Sequence, residues 1–111
     1  MPYSIHYYSE RVQADIFALP PTLQARYAAL SRRMVSDGPN LGEPHTKAFG
    51  GGLFELRLKG AEGIARVFFC ALVGRRIVML HSFVKKTDKT PPAERRIAET
   101  RLKEIQHADA C

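Results

Sequence analysis

The chain has 111 residues, of which 45% are hydrophobic and 25% charged, and it carries a net charge of +6. This is the size and make-up of one globular domain over 1–111, and it excludes a disordered chain, a collagen or a coiled coil. No apolar run is long enough to span a membrane, no charged leader precedes an apolar stretch and there are only two cysteines, Cys70 and Cys111, so a cytoplasmic protein without a membrane span, signal peptide or disulfide framework is expected.

Tyr3 to Tyr8 is rich in aromatic and β-branched residues and reads as a strand. Ser9 suits the N-cap of a short helix from Glu10 to about Ala18, with Val12, Ile16 and Leu19 on one face. Pro20-Pro21 interrupts the chain, and a second helix runs to about Ser36 with Leu23, Tyr27, Leu30 and Met34 as its apolar stripe. Gly38 stands where a helix C-cap is needed. A short strand over Thr46 to Phe49 precedes the Gly50-Gly51-Gly52 turn. Strand patterns follow at 53–59, 64–73 and 76–84, separated by hairpin-type turns at Ala61-Glu62 and Gly74-Arg75. Thr90 as cap and Pro91 in the first turn open a last helix, on which Ala98, Leu102 and Ile105 share a face. The order β-α-α-β-β-β-β-α predicts an α+β fold, an antiparallel sheet of four to five strands with helices packed on one face.

The positive charge is concentrated. Eight of the 17 basic residues lie between Arg57 and Lys89, against two of the 11 acids, and the rest of the chain is neutral. Such a field suits a polyanion, and it equally suits a solvated face that keeps the protein in solution.

Hairpin arithmetic brings these charges together. A turn at Ala61-Glu62 pairs Gly60 with Gly63, hence Arg57 with Arg66 and Glu55 with Phe68. A two-residue turn at Gly74-Arg75 pairs Val73 with Arg76, Phe69 with Leu80, Phe68 with His81 and Arg66 with Phe83. Alternation then puts Phe54, Leu56, Leu58, Ala65, Val67, Phe69, Ala71, Val73, Val78, Leu80, Ser82 and Val84 on the helix-bearing face. The other face carries the rows Glu55–Phe68–His81, Arg57–Arg66–Phe83 and Lys59–Ile64–Lys85. Like charges directly opposite destabilise a sheet. An anion between Arg57 and Arg66 removes that cost, and two guanidinium forks match a phosphate. Glu55 is the structural alternative, since it can neutralise the pair from the next row. Phe68 and Phe83 beside the cations suit stacking on single-stranded bases, or else form a minor core. The four histidines are scattered and make no metal-ligand spacing, so neither a metal nor another cofactor is expected.

Gly52-Leu53-Phe54-Glu55-Leu56-Arg57, Arg66-Val67-Phe68-Phe69 and the run from Leu80 to Pro91, LHSFVKKTDKTP, together resemble the HigB-like, phage-derived branch of the RelE toxin superfamily. The resemblance covers nearly the whole chain and is least specific in its N-terminal third. It implies the toxin half of a type II toxin–antitoxin pair, with a helix-turn-helix (HigA-like) antitoxin, the ribosome and mRNA as partners. It further implies a metal-independent endoribonuclease in which the ribose 2′-OH attacks the adjacent phosphate of translated mRNA. Carried onto this sequence, Arg57 and Arg66 stabilise the phosphate, His81 and Lys85 transfer protons, and Glu55 is a further candidate base. Lys47, Lys59 and Lys86 position the RNA backbone. Some superfamily members use a C-terminal tyrosine, and this chain has none after Tyr27. Two other readings compete: a non-catalytic RNA- or ribosome-binding module, and an interaction domain whose basic face meets an acidic partner.

Overall fold

The computed structural model describes residues 2–85 and 90–110, the last by its backbone alone. Among these, the elements are β1 (Ser4–Tyr7), α1 (Glu10–Phe17), α2 (Pro21–Asp37), β2 (Thr46–Gly50), β3 (Leu53–Gly60), β4 (Gly63–Leu72), β5 (Arg76–Lys85) and α3 (Pro92–Ala110). The expected order and the α+β class stand. The strands form one sheet in the order β1-β5-β4-β3-β2. It is mixed rather than antiparallel, because β1 lies parallel to β5. The two helices between β1 and β2 carry the chain away before the antiparallel meander begins, so β1 is free to join the far edge in the parallel sense.

Local signals act where they stand in the sequence. Ser9 Oγ accepts from the Val12 amide at 3.2 Å and caps α1. Gly38 ends α2 at φ 102°, its amide bonded to the Met34 carbonyl. The α2 stripe, Leu23, Tyr27, Leu30 and Met34, is buried against Leu56, Leu58, Ala65, Val67 and Phe69. Each such side chain contributes on the order of 1.5–3 kcal/mol of transfer free energy. Tyr27 satisfies its hydroxyl on Tyr7 at 2.8 Å, and burial raises its pKa.

The helices do not share one face. α1 and α2 cover the first. α3 covers part of the second, where Ala98 and Leu102 pack with Leu53, Phe68, Cys70, Val78 and Leu80. The reason lies in β5. The β4–β5 loop is one residue longer than the expected two-residue turn, so Leu72 pairs with Arg76 and Phe69 with Met79. A bulge then leaves Leu80 opposite no residue, and the ladder resumes at Phe68 and His81. The extra loop residue turns Ile77 and Met79 toward α1 and α2, and Val78 and Leu80 toward α3. The bulge restores the expected register from His81 onward. Arg101 of α3 donates to the Leu80 carbonyl at 2.7 Å, satisfying the bulge from above. Of the other residues expected on the first face, Val73 and Val84 are exposed.

α3 begins one residue later than expected. Pro91 supplies the first carbonyl of the helix, to the amides of Glu94 and Arg95, while the Thr90 hydroxyl is engaged elsewhere. Cys70 is buried, and burial pushes its thiol up to about 11; Cys111 lies outside the described residues. Among the described residues no helix is long and apolar enough to cross a membrane.

Gly60 closes the β3–β4 turn against the start of α2. A Cβ there would lie 2.6 Å from Thr22 Oγ1 and 3.0 Å from Thr22 Cβ. Thr22 is itself held by Glu62, whose carboxylate accepts from the Thr22 amide at 2.8 Å. Gly60→Ala is therefore expected to destabilise the fold by about 1–3 kcal/mol through overpacking, read as a lower urea midpoint with an unchanged slope.

Candidate functional site

All three cross-strand rows form as read from the sequence. Glu55 pairs with Phe68 and Phe68 with His81; Arg57 pairs with Arg66 and Arg66 with Phe83; Lys59 pairs with Ile64 and Ile64 with Lys85. β2 adds Lys47 opposite Glu55. α3 covers the apolar end of this face and reaches the Glu55–Phe68–His81 row, where Phe68 packs under it and His81 bonds to its Glu94.

Glu55 organises the centre. Its side chain is only 2% exposed, with Oε1 3.3 Å from Arg66 Nη1 and 3.5 Å from Arg57 Nε. Oε2 accepts from the Thr90 hydroxyl at 2.9 Å. A buried carboxylate without such partners would be strongly unfavourable. Both oxygens are thus engaged, which makes Glu55 the counter-ion of the arginines rather than a free base. One buried carboxylate faces two guanidinium groups. Arg57 also lies 3.7 Å from the exposed Glu43.

The remaining predicted residues fall into distinct environments. His81 is mostly covered, its Nε2 bonded to Glu94 Oε2 of α3 and its ring stacked on Phe83. A carboxylate partner orients the imidazole. Lys47 is exposed, with Nζ 5.5 Å from the centre of the Phe49 ring. Lys59 is exposed. Lys85 is buried, across the ladder from Ile64, where an aliphatic stem covers apolar surface. Lys86 lies outside the described residues. Phe68 corrects an expectation: it is fully buried between Phe49 and Phe83 beneath α3, so it is core and presents no face to a base. Phe83 is half-buried and keeps part of its ring accessible.

Two residues escaped the sequence reading. A cleft of about 280 Å³ is lined by Arg57, Lys59, Ile64 and Arg66 together with Arg26, Pro44 and His45. β2 accompanies β3 only as far as Leu56. Beyond that point, among the described residues, the rim of β3 carries one backbone bond, from the Arg57 amide to the His45 carbonyl at 2.8 Å. Arg26 reaches this opening from α2, and His45 from the segment leading into β2. Neither neighbours the basic run in sequence, so charge counting along the chain passes over them.

A family profile described as "Phage derived protein Gp49-like (DUF891)" matches residues 14–103. The chain belongs to this Gp49-like family. No curated protein matches the Gp49-like chain. Among solved structures it is similar to the free state of a double mutant of the E. coli toxin RelE, with a TM-score of 0.64 at 10% identity, covering 95% of this chain and 99% of that one. The Gp49-like chain therefore has the RelE fold, with Arg57, Arg66 and the basic cleft on its sheet.

Two outcomes test this site. Glu55→Gln is expected to lower stability by about 1–3 kcal/mol, because two guanidinium groups lose their buried counter-ion. Added phosphate should recover part of the loss in thermal melts; an unchanged melting temperature would contradict the role given to Glu55. Phe68→Leu is expected to cost on the order of 1–2 kcal/mol in denaturant titrations, with RNA affinity of the folded variant unchanged.

Proposed function

We propose that this Gp49-like chain is the toxin of a type II toxin–antitoxin pair. On this reading it is a cytoplasmic, ribosome-dependent endoribonuclease that cleaves translated mRNA, inhibits translation and is neutralised by a cognate helix-turn-helix (HigA-like) antitoxin. The observation that carries the reading is the Arg57–Arg66 pair, bridged by Glu55, in a basic cleft of a chain with the RelE fold.

The chemistry follows from what such a pair can do. The ribose 2′-oxygen loses its proton and bonds to the adjacent phosphorus, the bond to the 5′-oxygen breaks, and that oxygen takes up a proton. The products are a 2′,3′-cyclic phosphate and a free 5′-hydroxyl. Negative charge grows on the phosphoryl oxygens along the way, and two guanidinium groups beside them stabilise it without a metal. His81, oriented by Glu94 one row from the arginines, and Lys85 are assigned the proton transfers. Lys47, Lys59 and Lys86 steer the RNA backbone, and the accessible part of Phe83 offers a ring to a base.

The test is mRNA cleavage in a cell-free translation reaction, with and without ribosomes and with 5′ ends mapped. Cleavage is expected only on translated message. Arg66→Ala should reduce it by at least about a hundred-fold, the usual loss when one stabiliser of transition-state charge is removed. Thermal melting establishes that the variant folds. Intact message in every lane, from a folded protein that still binds RNA, would sink the enzyme reading in favour of a binding module.

A further inference from the structure

We propose that Arg26 and His45 form a second phosphate subsite beside the Arg57–Arg66 pair, so that a single RNA strand crosses the rim of β3 with consecutive phosphates in the two places. The inference rests on the RNA reading of the basic face and does not depend on cleavage.

Shape gives the first argument. The cleft that holds Arg57 and Arg66 also holds Arg26, His45 and Lys59. A second hollow, lined by Thr22, Ala25, Arg26, Ala29 and Lys59, adjoins it. The two share Arg26 and Lys59, which makes one trough from the open face of the sheet over its edge to α2. Ala25 and Ala29 keep its α2 wall low. A strand that touched only the arginine pair would have no need of this continuation.

Charge gives the second. Arg26, Arg57, Lys59 and Arg66 are permanently positive at neutral pH. Glu55 and Glu43 ion-pair with Arg57 and Arg66. Among the described residues neither pairs with Arg26 or Lys59, which keep their charge for a ligand. One phosphodiester carries a single negative charge, so the trough matches adjacent phosphates of a strand better than one isolated phosphate. The His45 backbone is fixed independently of its ring, by its amide on the Gly42 carbonyl and its carbonyl on the Arg57 amide. Changing the imidazole therefore leaves the strand connection intact. The charged groups that line the same cleft are Arg26 of α2, Arg57 and Lys59 of β3 and Arg66 of β4, with Glu43 two residues before His45 in the chain. A ring N–H of His45 can donate to a phosphate oxygen at this rim.

The measurement is fluorescence anisotropy of a labelled single-stranded RNA, without ribosomes, across a range of salt. Arg26→Ala is expected to weaken binding roughly three- to ten-fold at fixed salt and to lower the slope of log affinity against log salt by about one. His45→Ala should weaken binding by a smaller factor than Arg26→Ala, because it removes a hydrogen-bond donor rather than a permanent charge. Arg33→Ala removes an exposed charge of the same helix outside the trough and is expected to change affinity much less. An Arg33→Ala loss equal to that of Arg26→Ala would reduce the effect to a general field and overturn the subsite. So would unchanged affinity and slope in Arg26→Ala, or unchanged affinity in His45→Ala. A protein that shows these binding changes yet never cuts translated message keeps the subsite and loses the enzyme reading. One that cuts with unaltered binding loses the subsite alone.

Discussion

One buried carboxylate holds the functional face together. Two arginines face each other across β3 and β4, an arrangement that costs energy in an open sheet. Glu55 removes most of that cost from a position fixed by strand geometry. It lies two residues before Arg57, on the same face, and diagonal to Arg66, within reach of long side chains. Its second oxygen accepts from Thr90, at the start of the segment that leads into α3. The same group thus fixes both guanidinium groups and ties the last helix to the sheet.

The second face is divided between a buried core and the polar rows by how far α3 covers it. Under the helix, Leu53, Phe68, Cys70, Val78 and Leu80 form a small core. Beyond it, Arg57, Arg66, Lys59 and His81 look toward the cleft or the helix edge. The bulge at Leu80 makes this division feasible. Without it, the longer β4–β5 loop would leave β5 one residue out of step, and the side chains beyond His81 would exchange faces. Arg101 and Glu104 add polar clamps, on the Leu80 carbonyl and the Tyr8 hydroxyl, so the helix is held by directed bonds as well as by burial.

Much of this was legible in the sequence because alternation and turn chemistry are local rules. The Arg57–Arg66 pairing follows from Gly60, Gly63 and the burial pattern; the Phe68–His81 pairing was expected from a two-residue turn at Gly74-Arg75 that does not form, and it holds because the bulge offsets the longer loop. The loop at Val73 to Arg75 and the compensating bulge leave those pairings intact while defeating the face assignment of Val78 and Leu80. Alternation cannot report an inserted residue. Phe68 reads the same in a sequence whether it faces solvent or a helix, and only the placement of α3 decides. Arg26 and His45 were invisible for a different reason. They join the cleft through the packing of α2 and the early end of β2, neither of which is written near the basic run.

The Glu55 arrangement also bears on how the proposed chemistry would be partitioned between binding and catalysis. A phosphodiester arriving at Arg57 and Arg66 meets guanidinium groups already committed to a carboxylate within 3.5 Å. It carries one negative charge and competes with Glu55 on nearly equal terms, so the arginines contribute little to ground-state affinity. As the 2′-oxygen attacks, charge on the phosphoryl oxygens increases and the balance shifts toward the phosphate. Only interactions stronger in the transition state than in the ground state accelerate the chemical step. Holding the RNA is then left to other cations, and Arg26, His45 and Lys59 stand along the rim where Glu55 does not reach. A preorganised, partly neutralised pair for the reacting phosphate, with fuller positive charge beside it for the neighbouring one, separates the two tasks between residues that the fold brings within one cleft.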